Sequence, residues 1–300
     1  MIIKETGKVG PGFYVLGTSR MPVYFKDGET PLIFEAGISC LGPAYQKDLQ
    51  KILDGRQPRF LFLTHVHFDH CGSAAYLKKA FPGLTIAASK QAADIINRPN
   101  ALELMARLNQ AATEGMRKLA PHLTSEETFQ PFTIDRLLSG GEHLDLGDDL
   151  TVQVLATPGH TRDSLSYYLP KQKILIASES GGCAEDSGEI ITEFLSDYQD
   201  YTDSIQRLAA LEVEIFCQGH GLVFTGEEAR NFFGRSLKAA REFKNMVEGI
   251  LHTEGGDIPK TVSRIKAVEY DPKPQPKQPE PAYLLNIEAR VRHLAGLMGK

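Results

Sequence analysis

Long apolar runs, basic clusters and paired cysteines are all missing from this chain of 300 residues. Because no stretch of about 18 or more apolar residues occurs, we expect no transmembrane helix and no membrane partner. The net charge of −5 and the lack of a Lys/Arg-rich run argue against a nucleic-acid partner. The first residues, 1–7, show no basic-then-apolar signal pattern. We therefore predict a cytoplasmic protein that acts on a small molecule, and a homodimer is left open.

The four cysteines are scattered and form no Cys-x-x-Cys pair. This spacing excludes a disulfide framework and a zinc-finger pattern, and we expect each thiol to pack as a small apolar group. With 42% hydrophobic residues, the chain is long enough to bury a large core. Composition therefore predicts one large globular domain, or one domain with an appendage.

A cluster of candidate metal ligands follows the apolar run at 60–63. His65, His67, Asp69 and His70 lie within six residues, spaced His-x-His-x-Asp-His. In an extended segment the side chains at i and i+2 point the same way, so the first two imidazoles converge on one cation. Neutral imidazole suits zinc, iron, copper and nickel, and a carboxylate adds a hard anionic ligand. The alternative, a set of surface histidines beside a helix cap, is disfavoured by four ligands at this spacing.

Three further candidates each follow an apolar run that predicts a strand. The strands are predicted at 151–155, 173–177 and 214–217. His160 and His220 each come directly after a glycine, and Glu179 is the only carboxylate at the end of its strand. Each signal is weak alone. Their shared position at strand ends favours convergence with the first cluster.

An amphipathic helix is predicted at 101–119, between two groups of strands. Its apolar residues recur at three- and four-residue steps: Ala101, Leu104, Leu108, Ala112, Met116 and Leu119. This stripe either walls a substrate pocket or simply packs on the core. The strands predicted before it are at 13–16, 23–25, 31–34, 60–63 and 84–88.

The last quarter of the chain predicts helices. Thr225 followed by Glu228 matches a capping box, so we expect a helix from there to about 253. A shorter helix is predicted at 259–267 and a last one at 282–298. Between them, the proline-rich run 272–281 predicts an extended connector, with an arch over the cleft as one placement.

These motifs together resemble the metallo-β-lactamase superfamily. The matching positions are His65, His67, Asp69, His70, His160 and His220. The resemblance implies two divalent ions, the first held by His65, His67 and His160. Asp69, His70 and His220 would hold the second. Zinc is the expected metal, with iron and manganese as alternatives.

Glu179 stands where this family usually has an aspartate that bridges the two ions. Glutamate is one methylene longer, which leaves three outcomes open: a different bridging pose, contact with one ion only, or an altered metal preference. The segment 32–39, in which Glu35 follows a predicted strand, also resembles the family.

The resemblance implies an α/β fold, a four-layer αββα sandwich with an inserted helix and a C-terminal helical extension. We expect residues 1–224 to form the metallo-β-lactamase domain, with the helical insertion at about 90–120. Residues 225–300 would form the extension and cover the cleft.

Within the superfamily, the chain is most similar to the thioesterase branch, which includes glyoxalase II and the quinolone-signal response acyl-coenzyme A thioesterase. We therefore predict that a hydroxide held between two ions attacks a thioester carbonyl, with Asp69 binding metal and orienting the hydroxide. Asp163 is a candidate to orient a ligand histidine, and Tyr198 and Tyr283 are candidates to line the substrate pocket. The alternatives are a lactonase or esterase, an iron oxidoreductase, a phosphodiesterase, and a binding protein with a vestigial site.

Overall fold

The computed structural model describes residues 1–221, 223–274 and 277–299. The strands, in chain order, are β1 (Ile2–Ile3), β2 (Gly7–Gly10), β3 (Phe13–Thr18), β4 (Met21–Lys26), β5 (Leu32–Phe34), β6 (Phe60–Phe62), β7 (Thr85–Ser89), β8 (Arg136–Leu138), β9 (His143–Asp145), β10 (Thr151–Ala156), β11 (Leu165–Leu169), β12 (Ile174–Ile176), β13 (Cys183–Ala184), β14 (Ile190–Ile191), β15 (Ile215–Cys217) and β16 (Val223–Thr225). The α-helices are α1 (Gly42–Leu53), α2 (Phe68–Cys71), α3 (Ala74–Ala80), α4 (Lys90–Ile96), α5 (Pro99–Leu119), α6 (Tyr198–Ala209), α7 (Glu227–Thr253), α8 (Ile258–Ile265) and α9 (Glu280–Met298).

Two seven-stranded sheets and one short ribbon organise these strands. The first sheet has the order β2-β3-β4-β5-β6-β7-β8, and the second has the order β1-β16-β15-β12-β11-β10-β9. Strands β5 to β8 run parallel, as do β12 and β15. The ribbon pairs β13 with β14. Because the carboxyl ends of parallel strands meet at one edge, the segments that leave β5, β6, β12 and β15 are brought to the same end of the sandwich.

The two sheets pack face to face over an apolar layer. Along β6, Phe60 and Phe62 point into this layer, whereas Leu61 points to the outer face, as the two-residue period of a strand requires. The rings of Phe62 and Tyr167, which belong to opposite sheets, lie 5.0 Å apart. The run Phe-Leu-Phe is therefore buried on both faces, which is typical of a central parallel strand.

Helices cover the outer face of each sheet. Helices α1, α3, α4 and α5 contribute to the core on the outer face of the first sheet. Helices α6 to α9 contribute to a second core that includes Tyr168, Leu175 and Phe216 of the second sheet. The layers are therefore helix, sheet, sheet and helix, which confirms the predicted αββα fold and its C-terminal helical region. None of the helices in the described part of the chain has both the length and the apolar character that crossing a bilayer requires.

The predicted strands are confirmed within one or two residues, but the capping box is wrong. Gly226, not Thr225, is the N-cap of α7, and no side chain caps that helix. Thr225 ends β16 instead, and its hydroxyl donates to the carbonyl of Met1 at 3.0 Å. The pairing of β16 with β1 and β15 holds this residue extended, so its side chain cannot fold back onto the helix.

The insertion consists of two helices, and its predicted apolar stripe is only partly buried: Met116 is in the core and Ala112 packs against it, whereas both end leucines are exposed. Helix α4 ends at Ile96, and Pro99 begins α5, where its missing N–H costs nothing. The side chains of Leu104 and Leu119 are 37% and 50% exposed. The buried residues of α5 are Met105, Asn109, Thr113 and Met116. Two of these four are polar and one, Met116, belongs to the predicted stripe, so counting apolar residues describes only part of the buried face.

An ion pair joins the start of the connector to the turn between β13 and β14. The ammonium of Lys273 contacts the carboxylate of Glu185 at 2.7 Å. Residues 275 and 276 of the proline-rich run lie outside the described residues. The division of the chain near residue 224 and the covering of the cleft stay predictions.

Candidate metal centre

Five strands deliver the candidate ligands to one end of the sandwich. His65 and His67 follow β6, Glu179 follows β12 and His220 follows β15. His160 follows β10, which is separated from β12 by β11 in the second sheet. Glu35 follows β5, next to β6. The groups that the sequence spreads over more than half of its length therefore meet because both sheets end there.

The first group consists of His65, His67 and His160. Their ligand nitrogens all lie within 4.8 Å of one another. The Nδ1 atom of His67 and the Nε2 atom of His160 are 3.3 Å apart. Two ligands that each lie about 2.05 Å from one tetrahedral zinc are about 3.3 Å apart, so this spacing fits a shared ion.

The second group consists of Asp69, His70 and His220, whose ligand atoms also lie within 4.8 Å of one another. The Nε2 atom of His220 is 3.4 Å from Oδ2 of Asp69. Helix α2 supplies the first two of these residues, and its single turn places both side chains toward the loop that carries His220. The structure therefore brings together all six residues that the resemblance assigns to the two ions.

Glu179 lies between the two groups and faces both. Its Oε2 atom is 3.8 Å from Nε2 of His65 and 3.9 Å from Nε2 of His160. Its Oε1 atom is 3.1 Å from Nε2 of His70 and 3.3 Å from Nε2 of His220. One oxygen therefore faces each group, as expected for a carboxylate that gives one oxygen to each of two ions.

Local structure makes room for the longer side chain of Glu179. A Cβ atom on Gly219 would lie 1.9 Å from Oε1 of Glu179, so only glycine fits there. Ser178, with φ of 50°, adopts the left-handed conformation that turns the chain into this position, and its hydroxyl donates to Oε2 of Glu179 at 2.6 Å. Backbone strain of this kind is concentrated at functional sites.

Among the candidate ligands, two buried atoms have no hydrogen-bond partner, Nε2 of His65 and Oε1 of Glu179, and the two oxygens of the neighbouring Glu35 lack one as well. A buried polar atom without a partner is costly unless a bound group satisfies it. Nε2 of His65 and Oε1 of Glu179 each lie within 4 Å of another candidate ligand atom, so a metal ion between the two ligand atoms would satisfy each of them. The donor set of imidazoles and carboxylates is the one that zinc, iron and manganese bind. The residues present therefore fit divalent cations.

Hydrogen bonds on the far side of the rings orient two of the imidazoles. The Nδ1 atom of His160 donates to the carbonyl of Glu193 at 2.6 Å. The Nδ1 atom of His220 donates to the carbonyl of Arg20 at 2.7 Å. Since Nδ1 carries the proton in each ring, the lone pair on Nε2 points into the centre, where it is available to a metal.

Glu35 supports His70 from behind. Its Oε2 atom lies 3.3 Å from Nδ1 of His70, on the side of the ring away from Glu179. The carboxylate of Glu35 is almost fully buried and its φ is 69°, so the backbone is held in an unfavourable conformation to place it there. Among the described residues neither oxygen of Glu35 makes a hydrogen bond, but its negative charge raises the pKa of His70 and so the basicity of the ring.

The protonation states follow from burial and from neighbouring charges. Burial, together with the imidazole of His160, lowers the pKa of His67 to about 4. Burial opposes ionisation of Glu179, but the charge and hydrogen bond of His70, together with the imidazoles of His65 and His160, outweigh it and hold the pKa of this carboxyl well below its usual range. Burial also opposes protonation of His70, yet Glu179 and Glu35 raise its pKa well above the usual value. In the metal-free protein, the proton on His70 therefore balances part of the negative charge that a cation would balance.

Three further predicted residues lie outside the two ligand groups. Asp163 is buried, and its Oδ2 atom accepts the backbone N–H of Val66 at 3.0 Å, so it holds the peptide between two ligands; its effect on a ligand imidazole stays a prediction. Tyr198 packs its ring on Phe194, with centroids 5.1 Å apart. Tyr283 stacks on Tyr270 at 4.4 Å among the C-terminal helices. The described contacts bring neither of the two predicted tyrosines against the ligand side chains.

Sequence reasoning missed two residues that shape the centre. The amide of Gln218 bonds to the backbone of Ala184 through both of its ends, at 2.8 and 2.9 Å, and so fixes the turn before His220. Asn109, on the inserted helix, donates to the carbonyl of Phe68 between two ligands, at 3.2 Å. Nothing in the sequence marks either residue, because both are polar and neither belongs to an apolar pattern.

A family profile described as the metallo-beta-lactamase superfamily matches residues 22–220. The chain belongs to the metallo-beta-lactamase superfamily. It is thus a member of a superfamily of metal-binding hydrolases, and the two ligand groups are its candidate metal sites.

The chain is similar in sequence to proteins that cover part of its length, and similar in fold to solved structures that cover most of it. The acyl-coenzyme A thioesterase MBLAC2 of Gallus gallus is 28% identical over 225 residues, which cover 72% of this chain and 77% of that protein. A hydroxyacylglutathione hydrolase of Bradyrhizobium sp. is 27% identical over 165 residues, 53% of this chain and 47% of that protein. A solved archaeal superfamily protein from Sulfolobus tokodaii has a TM-score of 0.62 at 17% identity and covers 96% of this chain and 100% of that chain. At this identity the structural likeness shows the fold alone.

Proposed function

We propose that this metallo-hydrolase holds two divalent ions and cleaves a thioester, such as an acyl-coenzyme A. The position of Glu179 carries the two-ion part, because one of its oxygens faces each ligand group. The thioester part is supported by the similarity to a relative named as an acyl-coenzyme A thioesterase, which extends over 72% of this chain.

Zinc is the metal that we propose, since five of the six group residues are histidines, and their spacing suits a tetrahedral ion with nitrogen ligands. Divalent ions in this centre would supply a water of pKa lowered to roughly 7 and positive charge for a tetrahedral oxyanion. His65, His67 and His160 would hold one ion. Asp69 and its two partner histidines would hold the other, with Glu179 between them.

Asp69 is the residue that we assign to the attacking water. Its Oδ2 atom faces His220, whereas Oδ1 has no hydrogen-bond partner among the described residues. The Asp69 side chain is 18% exposed and that of His220 is 35% exposed, while the side chain of Glu179 is only 4% exposed. Water and substrate therefore approach from the side of Asp69, and its free oxygen is placed to accept a proton from that water.

A thioester suits this centre because its leaving group needs little help. A thiol with an ordinary pKa of about 8.5 leaves largely without a proton donor at neutral pH, unlike an amine. The charge that develops on the carbonyl oxygen would be stabilised where the ligands converge. The chemistry then requires only a positioned nucleophile and an electrophilic centre.

The test compares hydrolysis of an acyl-coenzyme A, a lactone and a phosphodiester by protein loaded with zinc, iron or manganese. We expect the zinc protein to hydrolyse the thioester fastest. His67→Ala and Asp69→Ala should each lower kcat/KM by at least about 100-fold, because loss of an outer partner alone costs 10–100-fold. His122→Ala, an exposed histidine far from the ligands in sequence, is the matched control and should keep full activity. Full turnover in both ligand variants, or a preference for the lactone or the phosphodiester, would contradict the proposal.

A further inference from the structure

Helix α5 of the insertion carries a buried amide that makes three hydrogen bonds to other segments. The Asn109 side chain is 1% exposed. Its Oδ1 atom accepts two hydrogen bonds from Ser39, from the backbone N–H at 3.2 Å and from the hydroxyl at 2.5 Å. Its Nδ2 atom donates to the carbonyl of Phe68 at 3.2 Å. Both partners belong to the ligand end of the sandwich and not to the insertion.

The two partners of Asn109 flank the second ligand group. Phe68 stands between His67 and Asp69 and begins the single turn of α2, which also carries His70. Ser39 closes the loop that begins at Glu35, the carboxylate behind His70. One amide therefore ties the ligand turn to the loop that supports it.

Close approach at Gly72 shows how tightly this contact is built. A Cβ atom on Gly72 would lie 2.4 Å from Nδ2 of Asn109 and 2.7 Å from the carbonyl of Phe68. The φ of Gly72 is −58°, a value that any residue adopts, so glycine is needed here for space alone. The glycine that ends the segment Asp69-His70-Cys71-Gly72 therefore admits the amide of Asn109.

Thr113, the other buried polar residue of α5, behaves differently. Its hydroxyl donates to the carbonyl of Asn109 at 2.9 Å, within the same helix. This bond lies within the helix, and the same hydroxyl also contacts the thiol of Cys40, but neither contact reaches the turn that carries the ligands. Asn109 is thus the buried polar side chain of α5 that connects the insertion to the metal centre.

We propose that Asn109 is a positioning residue that fixes the turn carrying Asp69 and His70, and thereby sets the affinity of the ion held by these residues and His220. This inference rests on the two-ion part of the proposed function. Outer partners of metal ligands commonly change metal affinity by about 10- to 100-fold. The amide acts through the backbone of Phe68, so its effect should fall on the second ion more than on the first.

The test replaces Asn109 by leucine, which has a similar size but no hydrogen-bonding group. Thr113→Val is the matched control, since it removes a buried hydrogen bond from the same face of the same helix. Each protein is titrated with Zn²⁺ against a competing chelator, well below its melting temperature. We expect Asn109→Leu to lower one of the two association constants by about tenfold or more and to leave the other unchanged. Thr113→Val should leave both constants at the wild-type values.

Ser39→Ala is a second variant that keeps the test decisive if Asn109→Leu does not fold. It removes the hydroxyl donor to Oδ1 of Asn109, so the same association constant should fall, by a smaller factor. Wild-type constants in folded Asn109→Leu, or in Ser39→Ala if the leucine variant does not fold, would overturn the inference while leaving the thioesterase proposal intact. A wild-type protein that binds fewer than two ions would overturn both, and no activity assay is needed to tell these results apart.

Discussion

Replacement of Gly219 by alanine is the sharpest perturbation that the centre offers. The added Cβ would lie 1.9 Å from Oε1 of Glu179, whereas ordinary contacts to carbon begin near about 3.4 Å. The φ of Gly219 lies outside the left-handed region, so alanine brings no backbone strain. The carboxylate must therefore shift by more than about 1 Å, several times the tolerance of about 0.2 Å on a metal–ligand bond. We expect Gly219→Ala to weaken zinc binding by at least about tenfold, or about 1.4 kcal/mol.

The assay is a Zn²⁺ titration against a chromophoric chelator, with Gly234→Ala as the control. A Cβ on Gly234 meets nothing within 4 Å, and this glycine lies inside α7, where alanine is favourable. Gly234→Ala should therefore bind zinc like the wild type. Wild-type affinity in Gly219→Ala would show that Glu179 does not occupy the position on which the two-ion proposal depends.

A double-mutant cycle separates this clash from a general loss of structure. Glu179→Asp alone should weaken zinc binding, because the shorter side chain draws the carboxylate away from both ligand groups. In that background Gly219→Ala should cost little more, since the added methyl group enters the space that the carboxylate has left. Additive losses in the double variant would contradict this explanation.

Three other predictions follow from the same geometry. Asp163→Ala should destabilise the protein by about 1.5–3 kcal/mol, because the N–H of Val66 loses a buried charged acceptor. Asp163→Asn should recover part of this stability in thermal unfolding. Equal melting temperatures for the wild type and both variants would refute the prediction. Zinc binding near pH 7 should release protons, because Glu179 and Glu35 overcome burial and raise the pKa of His70. The zinc affinity should therefore rise with pH until that proton is lost. Calorimetry in buffers of different ionisation enthalpy measures the proton release, and a pH-independent affinity would count against it. Chelation should lower the melting temperature, and zinc at 100 times Kd should restore about 2.7 kcal/mol; an unchanged melting temperature would speak against a structural role of the ions.

The ligand cluster of the first loop could be predicted because all four of its residues lie in one short segment of the sequence. His65, His67, Asp69 and His70 are close in the sequence, so their convergence needs only one loop. The sandwich followed from the family resemblance and from apolar runs such as 60–63, whose length and position the structure confirms within one residue.

The buried face of α5 could not be predicted by the same means. Leu104 and Leu119 are apolar yet exposed, whereas Asn109 is polar yet buried, because its amide finds partners 41 and 70 residues away. Hydrophobic periodicity identifies apolar residues that are buried, but it does not identify polar residues that are buried because distant segments supply their hydrogen-bond partners. The same limit applies to Thr225, whose pattern predicts a cap but whose place in a strand prevents it.

The capacity of Glu179 to reach both ligand groups depended on a glycine 40 positions later. Nothing in the segment around Gly219 indicates that a distant side chain fills the space beside it. Such complementarity is a property of packing, and it emerges only when both strand ends are placed together.

Anomalous scattering from a crystal of the zinc-loaded protein tests the central claim most directly. We predict two peaks about 3.5–4 Å apart, one beside His65, His67 and His160 and the other beside Asp69, His70 and His220, with the Glu179 carboxylate between them. A single peak, or zinc bound away from these side chains, would contradict the two-ion account.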